Sequence, residues 1–318
     1  MKKLLEFLFL FCPLMMFFSS CNCSSYGLEE FLYRTNAVVN RAEKLWNLSS
    51  PLIANSEDTA IFSKVSGKKF SVLIMTDVHF GGENNGNNGA RQDTLFLSWL
   101  ENYKSLMESA GTPELYPSFA ICLGDVAEHG YEEEFIRYQV FTSLMNTEKY
   151  GNIKTFNVVG NHDLYNSGWN YYSAHCYPHV SLYKFRTGAI SWYFVDSASG
   201  SLGDSQFNTI ERDMKYEEYG RKKLVFTHVP AYAGGLFYFV LQNSEERNKF
   251  ISLLADENTI ALVDGHTHKE ITSNLGFTEY NLPGYLEKRG FAIMTVDETN
   301  AADPKVTEGQ DDFDTALC

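Results

Sequence analysis

The chain has 318 residues, 44% of them hydrophobic, and carries a formal net charge of −14. That length and apolar content suit one large α/β domain or two small ones and argue against wholesale disorder. The longest basic block is "RKK" at 221–223, so no basic face is available to grip a nucleic-acid backbone, and any phosphate must be held locally.

Lys2 and Lys3 precede an apolar run, Leu4 to Phe18, whose one charge is Glu6, and Ser19, Ser20 and Cys21 follow it. The run is shorter than the roughly 20 residues that a permanent membrane helix needs, so residues 1–20 read as an export signal. Small residues before a cysteine resemble the bacterial lipoprotein processing site, in which Cys21 would become the lipidated first residue. Phe18 departs from the leucine usual at that position. The alternatives are an ordinary cleaved signal or an uncleaved anchor. Of the other cysteines, Cys122 lies in an apolar run and reads as core, and no C-x-x-C spacing marks a zinc site or a disulfide framework. A pairing of Cys23 or Cys176 stays open in an oxidising compartment.

Residues 21–69 form the next unit. Leu28, Phe31, Leu32, Val38, Val39, Ala42, Leu45 and Trp46 recur at helical spacing over 26–48, and 49–69 reads as connector. From residue 70 to 297, short apolar β-rich runs alternate with helix-like stretches. The runs are 70–76, 118–124, 154–160, 189–195, 223–227, 259–265 and 291–297, and the helical stretches are 93–108, 132–148, 205–217 and 244–256. Alternation of this kind implies sheets flanked by helical layers. Residues 298–318 read as a C-terminal tail.

Polar residues end five of these runs: Asp77 with His79, Asp125, Asn161 with His162, His228, and His266 with His268. Ligand crevices of open α/β sheets lie at the carboxyl ends of strands. In extended chain, residues two apart face the same side, so Asp77 with His79 and His266 with His268 each make a two-armed clamp. One such strand end is unremarkable, but scattered core histidines would not place five of the eight at strand ends.

Taken in order, "DVH" (77–79), "GDVAE" (124–128), "GNHD" (160–163), His228 and "GHTH" (265–268) resemble the calcineurin-like metallophosphoesterase family. The resemblance covers about residues 70–297 and implies a four-layer αββα sandwich, two mixed sheets flanked by helices. It also implies two transition-metal ions, which the Asp, Asn and His donors leave open among manganese, iron and zinc. One ion would take Asp77, His79, Asp125 and His268, and the other Asp125, Asn161, His228 and His266. Two dications about 3.5 Å apart repel by about 19 kcal/mol at an effective dielectric near 20, so a shared carboxylate is needed, and Asp125 is the residue offered. With only Asp77 and Asp125 returning negative charge, the site keeps about +2 to attract a phosphate.

The implied chemistry is attack of a metal-bridging hydroxide on a phosphoric ester, a diester before a monoester, in a small molecule or a lipid headgroup. His162 and Asp163 are the catalytic candidates. His162 is left to face the substrate and to stabilise charge or protonate the leaving oxygen, while Asp163, like Glu128, would support the ligands from behind. The alternative for either carboxylate is a solvated or N-capping role. The rival reading of the whole chain is a catalytically silent binding or structural lipoprotein on the same scaffold.

His175 and His179 have i, i+4 spacing, but Pro178 argues against one helix holding both. His129 reads as surface, "YEEEF" at 131–135 as a solvated helix start, and "GGENNGNNG" at 81–89 as a loop beside the first motif. Tyr165, Trp169, Tyr171, Tyr172 and Tyr177, and then Tyr232, Phe237, Tyr238 and Phe239, are core or substrate-lining aromatics, and sequence does not divide them.

Overall fold

A computed structural model describes residues 56–84, 87–285 and 290–312. The export signal, Cys21, Cys23 and the helix expected over 26–48 lie outside the described residues. The first described element is a helix inside the expected connector, α1 (Ser56–Val65). Then come β1 (Lys69–Met75), a short ladder of β2 (Glu83–Asn84) and β3 (Asn87–Asn88), α2 (Gly89–Ser109), β4 (Pro117–Cys122), α3 (Glu132–Met145) and β5 (Thr155–Asn157). After a 3-10 turn over His162–Ser167, the chain continues through α4 (Trp169–His175), β6 (Tyr183–Arg186), β7 (Ile190–Phe194) and α5 (Asp204–Arg212), which ends in a π turn, Asp213–Glu217. The remainder is β8 (Lys222–Phe226), α6 (Ser244–Asp256), β9 (Thr259–Asp264), β10 (Ile271–Asn274), β11 (Thr278–Asn281), β12 (Gly290–Asp297) and β13 (Lys305–Asp312).

Two mixed sheets result. One has five strands in the order β13-β12-β1-β4-β5, and the other six in the order β10-β11-β9-β8-β7-β6. In the first, β1, β4 and β5 run parallel, β12 pairs antiparallel with β1, and β13 antiparallel with β12; in the second, β7, β8, β9 and β11 run parallel, flanked by antiparallel β6 and β10.

The two-residue period of a strand builds the layers. From β1, Val72 and Ile74 join Phe119, Ile121, Phe156, Phe194 and Phe226 between the sheets, while Leu73 and Met75 turn outward onto Phe96 and Leu100 of α2 and Phe141 of α3. On the other side, Val225 and Leu262 meet Ile210, Phe250 and Leu254 of α5 and α6. Both faces of the central strands are buried, which is why the runs read as continuously apolar. The result is the expected αββα sandwich.

Four local expectations change. The segment 49–69 holds α1, whose Phe62 stacks on Phe185 with ring centroids 4.0 Å apart, and whose Asp58 carboxylate lies 2.8 Å from Lys154 Nζ. The tail after 297 holds β13, which pairs along the whole of β12. "GGENNGNNG" contains the β2–β3 ladder and the first residue of α2. In "YEEEF" the helix begins at Glu132, but Glu134 is buried, and its carboxylate accepts the amides of His129 and Tyr131. These short or edge elements are fixed by tertiary pairing rather than by periodicity. His129 is half exposed, as expected, and Cys122 and Cys176 are buried free thiols.

Phe62 tests whether α1 belongs to the core. Phe62→Ala empties a site against Phe119, Phe156 and Phe185, and chemical denaturation should show a loss of about 3–5 kcal/mol. A loss below about 1 kcal/mol would mean that α1 is only loosely docked.

Candidate metal centre

The loops after β1, β4, β5, β8 and β9 meet at one edge of the sandwich. Asp77, His79, Asp125, His266 and His268 all have positive φ, between 49° and 67°. L-residues enter this region at a cost, about 1–3 kcal/mol each, and such residues gather where a site dictates side-chain direction. The left-handed turn at each strand end swings the side chain out of the pleat and towards a common point. Glycines allow the loops to approach closely enough. A Cβ on Gly160 would lie 2.1 Å from the Asp125 amide, and one on Gly124 would lie 2.6 Å from the Gly160 amide, so neither position has room for a side chain.

The seven expected ligands come together in two groups that share Asp125. In the first, Asp77 Oδ1 lies 3.1 Å from His268 Nε2 and 3.9 Å from His79 Nε2, and the two imidazole nitrogens are 3.3 Å apart. In the second, His228 Nε2 lies 3.0 Å from Asn161 Oδ1 and 3.3 Å from Asp125 Oδ2, with the His266 ring 5.0 Å from that of His228. Asp125 Oδ2 is also 4.0 Å from His79 Nε2. One carboxylate oxygen therefore reaches both groups, while Asp125 Oδ1 accepts the His162 amide at 2.8 Å.

Partners behind the ligands fix which atom faces inward. His228 Nδ1 lies 2.9 Å from the Leu123 carbonyl; a carbonyl only accepts, so Nδ1 carries the hydrogen and Nε2 presents its lone pair to the cluster. Glu128 Oε2 lies 2.8 Å from His79 Nδ1 and orients that ring in the same way. Asp77 Oδ2 accepts from Thr76 Oγ1 and from the His266 amide. Asn161 donates its amide nitrogen to Tyr165 Oη at 3.1 Å, which turns Oδ1 towards His228. Tyr165, Thr76 and Ser197, whose hydroxyl accepts the amides of His228 and Val229, were not legible in the sequence, because a lone hydroxyl after a strand carries no pattern.

Charge follows the same arrangement. Burial alone would raise the Asp77 carboxyl, but the hydrogen bond with His268 and the field of His228 outweigh it and hold it below the usual range. Asp125 is likewise held well below that range, against its burial, by His228 and His162. His228 resists charging through burial, yet Asp125 pushes it up to about 9. Burial and the neighbouring His228 push His266 down to about 4. Imidazole, carboxylate and amide donors crowded with their lone pairs inward, without thiolate, suit a divalent first-row metal ion, which would replace the shared protons.

The two catalytic candidates separate. His162 stays half-buried at the rim, its Nδ1 2.7 Å from the Glu128 carbonyl, its ring 4.7 Å from His79 and 4.5 Å from Tyr165. With Nδ1–H donated to that carbonyl, Nε2 is the atom left for other work. His79, Glu128 and His162 also form a compact trio of ligand-type atoms. Asp163 is fully buried, with Oδ1 accepting the Ala127 amide and Oδ2 the Gly160 amide, so its assignment as a catalytic group is corrected. It clamps the "GDVAE" loop to the "GNHD" loop, and burial together with the Asp125 charge pushes its carboxyl up to about 7. His175 ends α4 beside Gln139, and His179 contacts the Ser173 carbonyl; neither joins the centre. Tyr172 is core, whereas Phe237, Tyr238 and Phe239 are exposed.

A family model described as calcineurin-like phosphoesterase matches residues 70–270, which contain every ligand above. The chain belongs to that family. Among solved structures it is similar to a dimetal phosphatase from Danio rerio, at 12% identity and a TM-score of 0.54 over 77% of this chain and 99% of that one. It also matches GAP50, the anchor in the inner membrane complex of Plasmodium, at 12% identity and a TM-score of 0.49 over 79% and 93%. A third match is the calcineurin-like phosphoesterase YfkN from Bacillus subtilis, at 13% identity and 0.44 over 78% and 91%. At these identities the first likeness speaks for the fold alone. No match is found among curated proteins. The family makes a phosphoester the expected substrate and divalent metal the expected cofactor.

Asp125 is the decisive position. Asp125→Asn removes the charge that reaches both ligand groups, and elemental analysis should show metal content reduced from wild type together with loss of turnover. Undiminished metal in a folded Asp125→Asn variant would rule out the shared-ligand geometry.

Proposed function

We propose that this protein is a dinuclear-metal phosphohydrolase that cleaves phosphodiesters in preference to monoesters. The observation that carries the reading is Asp125 Oδ2, which lies within 4.0 Å of a nitrogen in each of the two ligand groups. Asp77, His79 and His268 with Asp125 would hold one ion, and Asn161, His228 and His266 with Asp125 the other, in manganese, iron or zinc form. When bound, such ions supply a water of lowered pKa and neutralise charge on the ester oxygens.

The chain's own residues do the rest. Five left-handed turns pre-set the ligand directions, so little reorganisation is left for the moment of reaction. Asn161 contributes a neutral oxygen, which keeps positive charge at the centre for the phosphate. His162 has its ring fixed through Nδ1 and the Glu128 carbonyl, and its Nε2 would give a proton to a departing alkoxide. A monoester and a diester both release such an alkoxide, so the diester preference is supported by analogy alone, a His in the leaving-group position being common among diesterases of the family. The intact ligand set disfavours the silent-scaffold alternative.

His162 separates chemistry from metal binding. His162→Gln should keep its metal content and lose about 10²–10⁴ in rate, more on esters with poor leaving groups than on nitrophenyl esters, which depart without a proton. Equal losses across a leaving-group series would point to electrostatic stabilisation, and lost metal would make His162 a ligand.

We also propose that the protein is exported and lipid-anchored through Cys21, a reading supported by Lys2, Lys3, the apolar run 4–18 and Ser19-Ser20-Cys21. Cys21→Ala should abolish acylation and release the protein from membranes or leave it unprocessed. Wild-type protein that fractionates as soluble, with no acyl mass at Cys21, would reject the anchor.

A further inference from the structure

Three consecutive large aromatics stand exposed beside the metal centre. Phe237 is 56% exposed, Tyr238 93% and Phe239 45%. They occupy the tip of the loop that leaves His228, and the Phe239 ring centroid lies 6.1 Å from that of His266 in an edge-on arrangement. Of the other large exposed apolar side chains among the described residues, Leu106, Ile136, Val140 and Leu144 sit on the outer helices α2 and α3, Tyr131 just before α3, and Tyr216 and Tyr219 at and after the π turn that follows α5. Leaving three neighbouring aromatic rings in water opposes folding, so their position needs a cause.

The loop is held in this shape. The buried carboxylate of Glu279 on β11 accepts three amides in succession, Ala231, Tyr232 and Ala233, at 2.7–2.9 Å. Ala233, Gly234 and Gly235 all adopt positive φ, which turns the chain outward. The Leu241 amide closes the loop by donating to the Pro230 carbonyl at 3.0 Å, and Val240 and Leu241 return to the interior. Phe237 is steadied between Tyr232 and Arg247, whose guanidinium lies 5.2 Å from the ring centroid and donates to the Leu241 carbonyl.

We propose that this tip is a substrate subsite that stacks a planar aromatic group esterified to the phosphate. The proposal rests on the reading of the centre as a phosphoester site, and it adds the chemistry of the organic part. A group lying on Phe239 is next to a phosphate held by His266 and its partners. The amides of Gly235, Leu236, Phe237 and Phe239 are all spent on turn bonds within the loop, so the tip recognises by ring faces and not by a hydrogen-bond pattern. It therefore accepts flat groups broadly, as aromatic platforms do. A membrane is the less favoured occupant. From Val229 to Glu246 the chain contains no Lys or Arg, Arg247 beside the tip is engaged with the Phe237 ring and the Leu241 carbonyl, and the protein carries −14, so no basic cluster draws the tip to an anionic bilayer.

The test compares an aryl phosphodiester with a fluoroalkyl phosphodiester matched in leaving-group pKa. In F239A the aryl-to-alkyl ratio of kcat/KM should fall about tenfold, mostly through KM, while F239Y retains the ratio. Metal content and circular dichroism report whether each variant is folded. Calorimetric binding of phenylphosphonate and methylphosphonate to the metal-loaded protein needs no turnover. Wild type should prefer the phenyl compound and F239A should lose that preference. If this holds while no ester is hydrolysed, the subsite stands and the hydrolytic reading falls. Equal binding of the two phosphonates by wild type, or an unchanged ratio in F239A, overturns the subsite. Binding of wild type to phosphatidylcholine vesicles, lost in F237A and F239A without any change in aryl preference, overturns it in favour of a membrane-docking loop.

Discussion

Lone pairs that face one another need a cation between them, and the architecture at this end of the sandwich follows from that constraint. Asp125 Oδ2, Asn161 Oδ1 and the Nε2 atoms of His79, His228 and His268 crowd within 3.0–4.0 Å of their neighbours. Asp125 pushes His228 up to about 9, and His228 and His162 hold Asp125 well below the usual carboxylate range. Holding such a set together opposes folding, and the burden is spread over the loops. Five ligands sit in left-handed backbone, Gly124 and Gly160 touch where no side chain fits, and buried Asp163 clamps the two loops between them. The apolar sandwich supplies the stability that tolerates this strain.

A chain with net charge −14 attracts a phosphate only at the point where its own charge is overcome. Among the ligands just two are anionic, Asp77 and Asp125, and Asn161 takes a place that a third carboxylate would have neutralised. Phosphate affinity then depends on the metal, and discrimination falls to whatever lines the rim. His162 lies beside His79, and Phe239 of the exposed aromatic tip lies beside His266. In the proposed reading, chemistry is set by deep, rigid groups, and selectivity by the loop that carries the aromatic tip.

Much of this was legible in the sequence. The runs at 70–76, 118–124 and 259–265 match β1, β4 and β9 closely, since strands buried on both faces are continuously apolar. The ligands were legible for a related reason. A metal demands donor-bearing side chains at strand ends, and these interrupt an apolar pattern visibly. Elements whose reasons are tertiary stayed hidden. Helix α1 is held by Phe185 and Lys154, far along the chain, and β13 is an edge strand that exists because β12 offers it a partner.

The sequence by itself determined the alternation of strands and helices and the donor side chains at strand ends, because these depend on residue type and short-range spacing; the αββα layer order and the seven-ligand set came from the family resemblance of the motifs. Tertiary structure decided which partners hold each neighbouring residue. "GNHD" places four polar or turn residues side by side, yet Asn161 enters the ligand cluster, His162 faces the rim and Asp163 turns into the interior to hold two backbone amides. Adjacent side chains acquire different roles through the φ and ψ of a loop and through partners 34 to 67 residues away, and no local pattern encodes those distances.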